Sequence, residues 1–374
     1  MKRWIKNVYF LSGKEIRSFF SDYTLLVLVI IMFTVMIYSI AKGITTEVKN
    51  ATVAILNEDR SPLSYRIQDA MLPPQFKSVV EIQRADIDAA MDSGEFIFVL
   101  TIPPHFSADV LAHKQPELQL LVDATAMSQA AVGAGYLSHI IQQQLSEYLS
   151  HIPLDRTLLE PKLNVLFNPN LKTEWYMPIT QITGNSTLLT LILVGAAVIR
   201  EREHGTIEHL LVMPVSASEI VISKILANGF IILIAAFLSL YFVVHQFIGV
   251  PINGSMTLFI VTEAIFLSSM AGLGIYLATH APTMPQFSLL CLPVYVVLYL
   301  LSGSLSPLEN MPVAVQYLMQ LSPLTQFISI SQDVLFRGAG FTVIWPKVLM
   351  ISLMGAFFIV VAIFRFRHML ARQS

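Results

Sequence analysis

The sequence predicts an α-helical polytopic membrane protein with six transmembrane helices and an α/β or α+β domain inserted between helices 1 and 2. Three observations carry that prediction. Of 374 residues, 55% are hydrophobic and only 13% are charged, against roughly 25% charged in ordinary soluble domains. Asp, Glu, Lys and Arg are absent from five long windows: Tyr23 to Ala41, Trp175 to Ile199, Ile225 to Thr262, Ala264 to Leu308 and Val348 to Phe364. Between the first two windows lies a polar stretch of about 130 residues, long enough to bury a core of its own.

A helix crosses a bilayer with about 20 apolar residues at ~1.5 Å each. The first, second and last windows therefore hold one span apiece, and the other two are too long for that. Gly249-Val250-Pro251-Ile252-Asn253-Gly254 has the composition of a turn and breaks the third window; the apolar run then resumes past Glu263 to Thr279. His280-Ala281-Pro282-Thr283-Met284-Pro285-Gln286 breaks it again. The predicted spans are 23–42, 178–199, 222–245, 257–279, 286–303 and 344–364. An even number puts both termini on one side of the membrane.

Basic residues in short flanks decide which side that is. Lys2, Arg3, Lys6, Lys14 and Arg17 precede the first span, Arg200, Arg202 and Lys224 flank the second connection, and Arg365, Arg367 and Arg372 follow the last span. The opposite face offers only Lys42, Arg337 and Lys347 in its short flanks. Both termini are therefore expected in the cytoplasm, with residues 43–177 outside. Residues 44–177 hold 16 acidic and 9 basic residues, and a domain of that length translocates largely regardless of charge. The first span reads as an uncleaved anchor, because its apolar run is longer than that of a secretory leader, although Ser39-Ile40-Ala41-Lys42-Gly43 offers an imperfect small-residue cleavage site.

Residues 1–22 read as an amphipathic helix at the inner surface, with Trp4, Val8, Leu11 and Phe19 among its apolar positions. The external segment has a single-core composition: the one cysteine, Cys291, lies in the fifth span, so no disulfide staples it. Ala51 to Leu56, Glu95 to Ile102 and Glu117 to Val122 are strand candidates; Leu63 to Met71 and Ser128 to Ser150 are helix candidates. Residues 304–343 carry Pro307, Pro312 and Pro323 around two amphipathic stretches, Val313 to Leu321 and Thr325 to Phe336. Short helices that dip into the outer leaflet and return fit that pattern. The tail is 365–374.

Several motifs are missing or weak. Gly13-Lys14 lacks the spacing and the following Ser or Thr of a phosphate-binding loop, and no HExxH, CxxC or GxSxG occurs. No catalytic residue, cofactor or metal is therefore assigned to this chain. His105, Asp109 and His113 recur every four residues, but three ligands on one face suit zinc poorly, and a solvated helix face is the better reading. Glu263 is the single acid inside a predicted span; it either lines a translocation path or lies near enough to the outer end to reach solvent. Cys291 reads as packing, Pro293 as a kink, and Ser268 with Gly272 as a small-residue helix contact.

The run Arg200-Glu201-Arg202-Glu203-His204-Gly205-Thr206-Ile207-Glu208-His209-Leu210-Leu211-Val212-Met213-Pro214 is different in kind. On a helix, Ile207, Leu210, Leu211 and Pro214 form one apolar stripe, with Glu201, Gly205 and Glu208 opposite. Either this is an interfacial helix with no further role, or its acidic face is turned to the cytosol for something to grip.

The run, continuing through Ser218-Glu219-Ile220 to Lys224, closely resembles the signature of ABC-2-type permeases, the membrane subunits of one class of bacterial ABC exporters. Lys14-Glu15-Ile16-Arg17, Val53-Ala54-Ile55, Ile102-Pro103-Pro104-His105-Phe106, Phe167-Asn168-Pro169-Asn170, Ser302-Gly303, Pro307, Met311-Pro312 and Pro323 extend the likeness over nearly the whole chain. It is most similar to the subgroup with a large periplasmic domain. The resemblance implies that 200–221 holds a cytoplasmic coupling helix and loop, with Arg200, Glu201, Arg202, Glu203, Gly205, Thr206, Glu208, Leu211 and Pro214 received by a separate ATPase subunit. ATP would be bound there and not on this chain. It further implies a second permease copy or homologue, and in this subgroup often a periplasmic adaptor and an outer-membrane channel. The lipid bilayer is a partner throughout, and nucleic acid is not expected as one.

On these grounds the expected function is that of the permease subunit of an efflux system in the bacterial inner membrane, moving apolar or amphipathic cargo. The alternative is a non-transporting transducer that delivers ATP-driven movement to a periplasmic partner. The signature at 200–214 is common to both. A membrane-embedded enzyme is disfavoured, because the spans lack paired acids, histidines or a metal constellation.

Overall fold

The computed structural model describes residues 2–43, 51–92, 95–112, 114, 116–123, 127–150, 173–203, 215–306 and 308–371. The chain divides into two compact units, Met1–Gly43 with Glu174–Ser374, and Ile44–Thr173.

The smaller unit is an α/β layer. Its sheet has the order β2-β1-β3-β4, built from β1 (Ala51–Asn57), β2 (Phe76–Glu81), β3 (Phe98–Ile102) and β4 (Gln119–Val122). The central strand β1 runs parallel to both β2 and β3, and β4 closes the other edge antiparallel to β3. Side chains alternate across a strand. Ala51, Val53, Ile55, Phe98, Leu100 and Ile102 accordingly point to one core, and Ala54 and Val99 to a smaller one on the other face. Burial on both faces is what a parallel sheet requires. Helix α4 (Pro62–Asp69) is started by Ser61, whose hydroxyl accepts from the Ser64 amide at 3.2 Å. It packs Leu63 and Ile67 on the first face, together with Phe106 of α6 (Phe106–Leu111) and Leu137 of α7 (Met127–Ser150). Ile87, Ala90 and Met91 of α5 (Ile87–Asp92) cover the second face.

The larger unit is helical. Helix α1 spans Lys2–Ser21; α2 (Tyr23–Phe33) and α3 (Val35–Gly43) continue one another across Thr34, whose hydroxyl donates to the Ile30 carbonyl at 2.6 Å. Then follow α8 (Thr173–Glu203), α9 (Ala217–Leu238, continuing in wider π-helical turns to Ile248), α10 (Met256–Ala278), α11 (Met284–Leu300), the short α12 (Val313–Gln320) and α13 (Pro323–Leu335), and α14 (Phe341–Ala371). Among the described residues, five helices are long and apolar enough to cross a membrane: Tyr23–Gly43, Trp175–Glu203, Ala217–Ile248, Met256–Ala278 and Phe341–Ala371. The stretch expected as the fifth of six spans, 286–303, forms α11, which is apolar but has 17 residues. At ~1.5 Å per residue that is about 25 Å, short of a hydrocarbon core of about 30 Å.

Helix α8 sits at the centre of this unit, with 89% of its most apolar window buried. Helix α10 packs on it and on α14 through small residues. A Cβ at Gly274 would lie 3.0 Å from the Leu191 carbonyl oxygen of α8, and one at Gly272 would lie 3.0 Å from the Ile359 nitrogen of α14. Ser269 and Gly355 meet across the same α10–α14 seam. Ser268, the other member of the expected small-residue pair, donates to the Ala264 carbonyl of its own helix at 2.9 Å. Without a hydrophobic driving force between helices in lipid, such backbone proximity is what holds them. On the opposite face of α14, Leu353, Phe357, Val360 and Phe364 form an exposed apolar stripe, as a lipid-facing surface does.

Replacing Gly272 by Leu must therefore push α14 away. The expected cost is about 1–3 kcal/mol, read as a lowered Tm of the full-length protein in detergent, with Gly272→Ala less affected. An unchanged Tm for Gly272→Leu would show that the seam yields freely.

Candidate functional site

Apart from Glu174 in its first turn, the charges of α8 are gathered in its last turn as Arg200, Glu201, Arg202 and Glu203. Each of the four reaches a different element. The Arg200 guanidinium lies 3.3 Å from the Asp22 carboxylate, which also caps α2 by accepting from the Leu25 amide at 3.2 Å. Arg202 donates to the Ala281 carbonyl in the α10–α11 connection at 3.5 Å. The Glu203 carboxylate accepts from the Met284 amide at 3.0 Å, at the start of α11, where the unpaired amides of a helix N-terminus favour an anion.

Glu201 makes the deepest tie. Its Oε2 is 3.0 Å from the Lys224 Nζ of α9, and its Oε1 is 3.5 Å from the Lys14 Nζ of α1. Lys224 also pairs with Glu15 of α1 at 2.8 Å and donates to the Ala197 carbonyl of α8 at 3.1 Å. An ammonium has three donors. Lys224, with its side chain 1% exposed, thus donates to Glu15 and Ala197, is ion-paired with Glu201, and joins α1, α8 and α9 at a single atom. Removing one partner from such a buried pair costs roughly 3–5 kcal/mol, since the remaining charge is left without compensation.

Helix α1 is held to α9 along its length as well. Trp4 donates to the Ser218 hydroxyl at 3.3 Å, Asn7 to the Glu219 carboxylate at 3.0 Å and Ser12 to the Ser223 carbonyl at 3.3 Å. Ser216 and Glu219 form a capping box that starts α9.

Of the expected coupling residues, Arg200, Glu201, Arg202 and Glu203 are thus brought together at one end of α8. Gly205, Thr206, Glu208, Leu211 and Pro214 lie outside the described residues. Glu201 does not face outward, as the helical pattern of 200–214 suggests; it turns in toward Lys224 with its side chain 12% exposed. Sequence reasoning missed Lys14 and Lys224 as its partners and Glu15 as the second acid on Lys224, although all three stand in the segments that carry the resemblance.

Glu263 is fully buried, and its Oε1 accepts from the Ser186 hydroxyl of α8 at 2.8 Å. It adjoins a row of buried polar residues on α8: Thr180, Thr183, Asn185, Ser186, Thr187 and Thr190. It does not reach solvent. At the other end of α8, about 36 Å from Arg200 by helical rise, Tyr176, Ser302, Ser304, Gln332 and Arg337 line a cavity of about 520 Å³. Tyr176 donates to the Ser304 carbonyl at 3.1 Å and accepts from Gln332 at 3.0 Å. Asp333 beside it, 4% exposed, pairs with Arg337 at 2.6 Å and Lys347 at 2.5 Å. This second buried ion cluster also went unread in the sequence.

Cys291 is buried in an apolar cluster with Phe287, Leu277 and Ile275. In the smaller unit Asp109 pairs with Lys114 at 2.8 Å, and His113 lies outside the described residues. Among the described residues no three His, Cys, Asp or Glu side chains converge as a metal site.

Comparison with known proteins agrees with the arrangement of charged ends on apolar helices. Residues 17–364 match the family profile described as ABC-2 family transporter protein. The chain is 40% identical over 373 residues to the inner membrane transport permease YhhJ of Escherichia coli (strain K12), covering 100% of both chains. It is 27% identical over 334 residues to the probable multidrug ABC transporter permease YbhR of the same organism, covering 89% of this chain and 90% of the relative. The corresponding values for its probable multidrug ABC transporter permease YbhS are 24% over 340 residues, with 89% of each covered. A polytopic helical unit, a charged cluster closing its central helix and a family match that covers nearly the whole chain lead to one conclusion: this chain belongs to the ABC-2 transporter family, as a transmembrane permease.

Proposed function

We propose that this permease is the membrane subunit of an ATP-driven exporter that moves an apolar or amphipathic cargo out of the cytoplasm or inner membrane, with ATP bound and hydrolysed on a separate ATPase subunit. In this reading α11 completes a set of six spans, its short length met by local thinning of the bilayer. Both termini and the Arg200–Glu203 end of α8 face the cytoplasm, which agrees with the basic residues in the short flanks. Residues 43–177 lie in the periplasm, and two such chains enclose the pathway as a homodimer or with a homologue. Cargo leaves past the cavity at Tyr176. A periplasmic adaptor and an outer-membrane channel are the partners that would carry it onward. The names of YbhR and YbhS, probable multidrug permeases, favour drug-like cargo over a fixed metabolite.

The single observation that carries this proposal is the fourfold tie at the end of α8. Residues 204–214, with Gly205, Thr206, Glu208, Leu211 and Pro214, follow directly on Glu203. A push on that segment by an ATPase is delivered to α2, to α1 and α9, to the α10–α11 connection and to α11, because one side chain holds each. A rigid helix with paired charges at its end transmits displacement where a solvated loop would absorb it.

Glu201→Gln keeps the shape and loses the charge facing Lys224. Export and cargo-stimulated ATPase activity of the assembled complex are expected to fall at least about tenfold, the usual scale for one lost charge-assisted contact, with the amount inserted in the membrane unchanged. Full coupling in this variant would sink the role of the cluster. Orientation is checked separately in a Cys291→Ser background, where Ser61→Cys should react with an impermeant maleimide from the periplasm and Ser216→Cys should not. The reverse labelling pattern would overturn the topology.

A further inference from the structure

A cavity of about 500 Å³ opens at the same end of α8, lined by Arg202, Thr279, His280, Phe364, Arg365, His368 and Met369. Among the described residues no carboxylate lines it. Among the described residues, neither Arg202 nor Arg365 pairs with an acid: Arg202 donates to the Ala281 carbonyl, and Arg365 contacts the His280 ring. Two guanidiniums thus line one cavity with donors uncommitted. Such an arrangement suits an anion with several oxygens, such as a phosphate.

The tautomer of His280 sharpens the point. Its Nδ1 lies 2.9 Å from the Tyr276 carbonyl oxygen, which can only accept, so Nδ1 carries the proton. Its Nε2 faces the Arg365 guanidinium. Held between these two contacts, the ring aims Arg365 and leaves the remaining guanidinium donors for a ligand.

The surroundings fix the kind of ligand. Phe364 belongs both to the cavity wall and to the exposed apolar stripe of Leu353, Phe357, Val360 and Phe364 on α14. An acyl chain lying along that stripe would bring its own headgroup to Arg365, one residue beyond Phe364. His368, one turn further and edge-on to Phe364 with ring centroids 4.6 Å apart, closes the rim. Basic pockets between membrane helices at the inner surface are suited to anionic lipid heads.

We infer that the cavity formed by Arg202, His280, Arg365 and His368 binds the phosphate of an anionic phospholipid of the inner leaflet. The inference rests on the proposed topology but not on the cargo or on the direction of transport. Arg202 neighbours the Glu201 and Glu203 ties, so the bound lipid braces the coupling end of α8 against α14.

The test titrates the full-length protein in detergent with phosphatidylglycerol, with phosphatidylcholine and with inorganic phosphate, reading Tm. Phosphatidylglycerol alone is expected to raise Tm saturably. Arg202→Gln with Arg365→Gln should weaken its apparent affinity by about tenfold, whereas Lys2→Gln with Lys6→Gln, basic residues of the same surface, should not. Equal stabilisation by inorganic phosphate, equal loss in the lysine pair, or no loss in the arginine pair each overturns the inference. If the double variant does not accumulate, the exposed Arg365→Gln alone carries the test, with a loss of about threefold expected and no loss overturning it. The readout needs neither ATPase nor cargo, so its failure and the failure of the export proposal remain distinguishable.

Discussion

The cost of leaving charge without a partner in a low-dielectric interior governs this structure. It explains why the charges of α8 are confined to its two ends, Glu174 in the first turn and Arg200, Glu201, Arg202 and Glu203 in the last, and why each of the last four is met by another element. It explains the arrangement about Lys224, where one ammonium faces two carboxylates and a carbonyl. At the other end of the unit the same constraint gathers Arg337 and Lys347 around Asp333. Glu263 lies between these ends without a basic partner among the described residues, held by the Ser186 hydroxyl.

Helices in lipid gain little from burying apolar surface against one another, so two other forces hold this unit together. Close backbone approach does so in the middle, where Gly272, Gly274, Ser269 and Gly355 bring α10 against α8 and α14. Ion pairs and hydrogen bonds do so at the ends. The two differ in what they permit. A seam of small residues lets helices slide or tilt over a smooth contact, whereas a carboxylate between two lysines keeps its partners in register. In the proposed function, movement that begins at the charged end is handed on as displacement of whole helices and not lost at the first joint.

Much of this was legible in the sequence because it depends on local composition. Charge-free windows mark the helices, the Gly-Val-Pro-Ile-Asn-Gly turn marks the break between α9 and α10, and the nearly continuous apolar run Ala51–Leu56 marks the central strand. What was not legible depends on contacts far apart in the chain. Strand β2 was unread, since Phe76–Glu81 mixes charged and apolar residues and finds its place only beside β1. The break at Thr34, the wide turns from Ser239 to Ile248 and the early end of α11 at Leu300 have no proline to announce them. The inward turn of Glu201 was hidden for the same reason, because the helical wheel of 200–214 contains neither Glu15 nor Lys224.

That misreading changes how the signature is understood. If Glu201 were a surface handle, its charge would act through what an ATPase brings to it, and any acid at that position would serve. Held instead by Lys14 and Lys224, it ties the end of α8 to α1 and α9, and in the proposed function it is the joint between the ATPase-facing segment and the helices that move. Under that proposal the residues of the run divide by position: those up to Glu203 bind the end of α8 to its neighbours, and those from His204 onward are assigned to the partner. A signature that looks continuous in sequence is in this reading two adjoining parts, an internal brace and an external grip.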